Sequence, residues 1–283
     1  MKIAAIGIAV VAAMFGTPVS AADMALKAPS PAPIYSWTGF YIGANIGYGW
    51  NDTTATLTPN DNFFAAAGNA TPFGPLSFSL SGAVGGFQAG YNWQWSPKWV
   101  VGIEGDFDFS GIKGSAIGAS TIVTNGFPST FITTASQTDR WFGTLRPRVG
   151  YLPNDQLLIY ATGGLAYGKV TEAVGIYSST GIGYLGFGTP PRDLNCSLGI
   201  NPCLAGNSSR TAVGWTAGGG AEYAWTSHLS LRAEYLFVDL GSNSFAVIAT
   251  QPPTVPGRTT PTLTAAYSAA AYNIVRAGIN YKF

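Results

Sequence analysis

Eight segments of this chain alternate apolar and polar residues with a period of two, and that pattern leaves few folds open. From Phe40 through Ile42, Ala44, Ile46 and Tyr48 to Trp50, the even positions are apolar or aromatic, while the odd ones are Gly, Asn or Tyr. Successive strand side chains point to opposite faces, so this is a half-polar strand and not a helix. The pattern returns seven times with odd positions apolar, over 83–95, 99–109, 141–151, 157–167, 213–225, 229–237 and 275–283. Three connections are short: Ser96-Pro97-Lys98, Pro153-Asn154-Asp155-Gln156 and Thr226-Ser227-His228. Four are long, over 52–80, 111–138, 170–210 and 240–268, and rich in Gly, Ser, Thr, Asn and Pro. An even number of strands with short turns at one end and long loops at the other predicts an all-β fold, an eight-stranded antiparallel up-and-down transmembrane β-barrel.

Alternation alone would also suit a soluble barrel, apolar inside and polar outside. Charge decides between them. Charged residues make up 10% of the chain, against about 25% in an average soluble domain. Ten strand charges, Glu104, Asp106, Asp108, Arg140, Arg146, Arg148, Glu222, Arg232, Glu234 and Arg276, all fall on the polar parity, among Gly, Ala, Thr, Asn and Gln. Small residues beside long charged ones suit a crowded lumen. The apolar parity carries Trp93, Trp95, Trp99 and Tyr151 towards the short turns, and Trp50, Phe107, Trp141 and Phe237 towards the long loops. Ala44, Ile103, Leu145 and Ala217 lie between. Two aromatic girdles around an aliphatic band are expected where rings meet lipid headgroups.

The chain divides into an export signal at 1–22, a Pro-rich periplasmic segment at 23–36, and the barrel at 37–283. Lys2, the short apolar run Ile3 to Phe15 and Val19-Ser20-Ala21 carry the first assignment. Formal net charge is +1, so there is no basic excess for a nucleic acid. Cys196 and Cys203 lie close together, and in an exported chain such a pair predicts a disulfide loop staple; a metal site is the alternative.

Within the lumen, Glu104 and Arg146 fall at similar depth, and Glu222 and Arg232 face each other across the Ser227 turn. These charges are expected to form a paired plug; a selectivity filter in a narrow pore is the alternative. No catalytic constellation stands out. His228 is the one histidine, and it belongs to a periplasmic turn. Glu104, Asp106 and Asp108 fit ion pairing, and Gly218-Gly219-Gly220 lacks the Lys-Ser/Thr of a phosphate loop. No enzyme activity, cofactor or metal is expected. The long loops are expected to expose Phe63, Phe64, Phe73, Phe127, Phe131, Tyr177, Tyr184 and Phe187, as surface cover or as a ligand or adhesion site.

Three stretches carry a family resemblance: Tyr35-Ser36-Trp37-Thr38-Gly39-Phe40-Tyr41-Ile42-Gly43, Gly214 to Tyr223, and Leu231 to Gly241. Together they resemble the small alphaproteobacterial outer-membrane β-barrel proteins (porin-family, immunogenic). The resemblance implies an OmpA-like eight-stranded barrel in the outer membrane, without a periplasmic peptidoglycan-binding domain. The ending with Ile279, Tyr281 and Phe283 resembles the C-terminal signal read by the barrel-assembly machinery. Outer-membrane lipid and that machinery are the implied partners. The function expected is structural: membrane integrity and surface interaction, with a narrow porin or loop-borne receptor as alternatives.

Overall fold

The computed structural model describes residues 35–66, 73–124, 127–179, 185–187, 192–194, 196, 201–253 and 255–283. The expected export signal, the tether as far as residue 34, and Tyr184 lie outside the described residues.

Strand β1 (Gly39–Pro59) is followed by the single helical turn α1 (Phe63–Ala66), β2 (Leu76–Ser96), β3 (Trp99–Ser110), β4 (Lys113–Thr124), β5 (Phe127–Asn154) and β6 (Leu157–Ser178). Then come a small hairpin, β7 (Leu185–Phe187) with β8 (Arg192–Leu194), and β9 (Leu204–Ala224), β10 (Leu229–Asp239), β11 (Asn243–Ala249), β12 (Thr262–Tyr267) and β13 (Ala271–Lys282). Eight antiparallel strands close a ring in the order β1-β2-β3-β5-β6-β9-β10-β13, and β13 returns to β1 from Lys282 opposite Tyr41 to Asn273 opposite Trp50. Ring closure leaves no strand edge at this level.

The stretches expected as long loops are largely strand. Above Ser110, β4 takes over the place of β3 between β2 and β5, and β11 and β12 take over from β10 and β13 between β9 and β1. The eight staves therefore run on as a second tier. The 21 residues of β1 correspond to about 70 Å of strand, far more than a hydrophobic band about 25 Å tall requires.

The two tiers have opposite polarity. In the lower tier the apolar parity faces outward, with Phe40, Ile46, Phe87, Trp95 and Phe109 each more than 60% exposed. In the upper tier an apolar cluster turns inward: Leu57, Leu76, Phe131, Ile176, Leu204, Val247 and Leu263 are buried together, while Ile117 and Ile248 are exceptions on the outer face. Thr and Ser face out, with hydroxyl pairs such as Thr54–Ser77 and Thr121–Thr130 bridging neighbouring strands. Lipid outside and a polar interior below, water outside and a dry interior above, account for both parities.

Phe63, Phe64, Phe73 and Phe131, expected on exposed loops, are instead buried at 6% exposure or less. α1 folds into the upper tier, where Phe64 meets Phe73 edge to face at 5.4 Å. Cys196 and Cys203 join in a disulfide within the same cluster, which leaves no thiolate for a metal. Replacing both by Ser is expected to lower the stability of this tier by about 2–3 kcal/mol through loop entropy. Urea-dependent proteolysis of the upper tier measures it.

Candidate functional site

The lumen of the lower tier is the candidate site. Each of its charged side chains comes from the inward parity of a ring strand, and glycines on that parity make the room. A Cβ on Gly86 would sit 2.0 Å from the Phe107 carbonyl oxygen and 2.7 Å from Asp108 Oδ1.

Nine of the ten expected lumen charges are buried, at 5% exposure or less. Glu104 and Arg146 are cross-strand neighbours and pair at 2.7 Å. Arg146 also reaches Asp106 at 2.8 Å and Glu234 at 3.3 Å. Arg276 holds Asp106 at 2.6 Å, and Asp108 and Glu234 at 2.7 Å. Glu222 and Arg232 are register partners, but their bonds run elsewhere. Arg232 reaches Glu104 at 2.6 Å and Glu234 at 2.7 Å. Glu222 accepts from Arg148 at 3.2 Å, Asn280 at 2.8 Å and Ser230 at 2.5 Å. Four guanidinium groups thus face five carboxylates, each carboxylate with a cationic partner.

Arg140 is the exception. A β-bulge between Asp139 and Trp141 inserts one extra residue into β5, and Arg140 turns outward to solvent. Asp139 takes the interior place and accepts from Tyr272 Oη at 2.5 Å. The bulge resets the parity of β5 between the tiers, as bulges do.

Several interior partners escape a reading based on charge. Tyr41 donates to Glu104 at 2.6 Å, Tyr160 to Glu234 at 3.0 Å, and Gln88 to Asn280 at 2.8 Å. The Arg148 guanidinium lies over the Tyr41 ring at 4.7 Å and the Tyr160 ring at 5.2 Å. All of these lie on the polar parity, which was the available signal.

Apolar layers lie on both sides of the network. Below, Trp37 is buried with Val100, Leu152 and Leu158, and its indole donates to the Asp155 carbonyl at 3.1 Å. Above, Leu80, Val84, Ile112, Phe142, Leu236 and Ile274 form a second cluster. Still higher, Asn243 donates to Glu172, whose carboxyl burial raises above the usual carboxylate range.

His228 is exposed in its turn, with Nδ1 2.9 Å from the neighbouring Ser227 Oγ, and no carboxylate among the described residues orients it. No group of three or more His, Cys, Asp or Glu placed to hold a metal occurs among the described residues. Ile279, Tyr281 and Phe283 face outward, between 41% and 68% exposed.

Residues 9–283 match the family model described as outer membrane protein beta-barrel domain. The chain is 34% identical to the 31 kDa outer-membrane immunogenic protein of Brucella melitensis over 282 residues, 98% of both chains. It is 29% identical to the 25 kDa outer-membrane immunogenic protein of Brucella abortus over 231 residues, 78% of this chain and 76% of the relative. Among solved structures, OprG from Pseudomonas aeruginosa aligns with a TM-score of 0.45 at 11% identity, over 87% of this chain and 96% of that one.

Proposed function

As a member of the outer-membrane protein β-barrel family, this chain is an outer-membrane barrel, and we propose that it serves there as a closed, non-catalytic structural element with an interactive surface. The observation that carries the proposal is the stack inside the barrel. A layer of paired charges sits between two apolar layers. A conducting pore needs a continuous polar path through which ions both enter and leave. Here the path would have to cross dry apolar layers at both ends and displace side chains already bonded to one another. Every carboxylate of the layer holds at least one guanidinium, several of them across the lumen, and such bonds stiffen the ring from within. The surface role rests on the tall upper tier, whose Thr- and Ser-bearing outer face stands beyond the membrane band.

Liposomes holding the purified protein test this in a swelling assay with arabinose and glycine. Swelling no faster than protein-free liposomes is the expected result. Size-dependent swelling would replace the closed element by a narrow porin.

A further inference from the structure

The bulge that expels Arg140 from the lumen places it in a new setting. Lys113 on β4 is the register partner of Thr138 on β5, two residues before Arg140, and Lys169 on β6 is the register partner of Trp141. At about 4.8 Å between strands and 3.3 Å per residue, the three basic residues lie within about 12 Å on three adjacent staves. Lys113 and Arg140 are exposed and Lys169 is partly so. None of the three makes an ion pair among the described residues. The outward carboxylate nearest Lys113 along the sheet is Asp52 on β1, beyond β2, where it accepts from Ser79 at 2.7 Å.

This cluster stands directly above the upper aromatic girdle, where Trp141 packs on Phe107 at 5.5 Å and on Tyr167 at 6.1 Å. Beneath it, on the lipid-facing side, opens an apolar groove of about 870 Å³ walled by Phe107, Leu145 and Tyr167, which continues across Gly105 and Ala89 towards Tyr281. The floor is low at Gly105, where an added Cβ would find its nearest neighbour at 3.8 Å. Three cations without an ion pair among the described residues stand at headgroup height over a groove of acyl-chain character, the two halves of a site for an amphipathic anion.

We propose that this is a binding site for one phosphorylated, multiply acylated glycolipid of the outer leaflet. Its phosphate is held by Lys113, Arg140 and Lys169, and an acyl chain lies in the groove. Charge complementarity chooses the headgroup, and the extracellular end chooses the leaflet. The site is independent of whether the lumen is closed.

Native mass spectrometry of the full chain in detergent, incubated with bis-phosphorylated lipid A, tests the proposal. One retained lipid A per barrel is expected. Retention should fall at least about tenfold for a Lys113→Gln/Arg140→Gln/Lys169→Gln variant, for lipid A stripped of phosphate, and for the groove-filling Ala89→Phe. Heat-modifiable gel mobility identifies the variants that have folded. Unchanged retention by the folded triple variant would overturn the proposal. So would equal retention of phosphatidylglycerol, which has the phosphate without the glycolipid. A barrel dimer abolished by Ala89→Phe would likewise overturn it, because the groove would then belong to a second copy.

Discussion

Arg276→Ala is expected to destabilise the barrel by about 3–5 kcal/mol, the largest single effect of any lumen substitution. Arg276 is 2% exposed, and its guanidinium joins Asp106, Asp108 and Glu234. Its removal leaves buried carboxylates from β3 and β10 facing one another without their shared cation. Unpaired buried charge costs more than the paired charges contributed. Arg140→Ala, one residue type and the same truncation, should stay within about 0.5 kcal/mol because that side chain is solvated. Urea titration of the folded barrel, followed by gel mobility without boiling, measures both. Equal midpoints for the two variants would show that the network carries no stability.

Phe131→Ala should act as strongly, by another mechanism and in another place. The ring is fully buried in the apolar interior of the upper tier and meets Phe73 at 6.2 Å. Deleting it leaves a cavity, for a cost of about 3–5 kcal/mol. The loss belongs to the upper tier, since a second apolar cluster and the charged layer lie between this ring and the short-turn end. Limited proteolysis should therefore cut the variant in its upper tier while the lower ring keeps its heat-modifiable mobility. Uniform loss of both would mean that the tiers unfold as one unit.

The ring itself was legible because lipid imposes its demand on every second residue. Phe40 to Trp50, or Val275 to Phe283, can satisfy a membrane outside and charges inside in only one register. The upper tier was harder to see, because its parity is the reverse. In Thr54-Ala55-Thr56-Leu57-Thr58 the apolar residues are the buried ones, so a reading tuned to lipid-facing apolar residues takes the segment for loop. The phase change at Asn51-Asp52, directly after Trp50, marked the place where the outside solvent becomes water. Arg140 was misassigned for a related reason. Strict alternation has no room for an extra residue, yet Asp139-Arg140 followed by Trp141-Phe142 puts two charges and then two aromatics side by side, the local signature of the bulge. The detailed pairing among the interior charges was not legible at all. Long Arg side chains reach across the lumen, so Arg232 bonds to Glu104 on a strand that is not its neighbour.

The central claim is that the interior is closed, and single-channel recording of the purified wild-type barrel in a planar bilayer tests it most directly. The side-chain stack predicts a baseline indistinguishable from the protein-free membrane at moderate voltage. Steady, ohmic steps from correctly folded protein would contradict it, because a persistent current requires the continuous water path that the paired charges and the flanking apolar layers occupy.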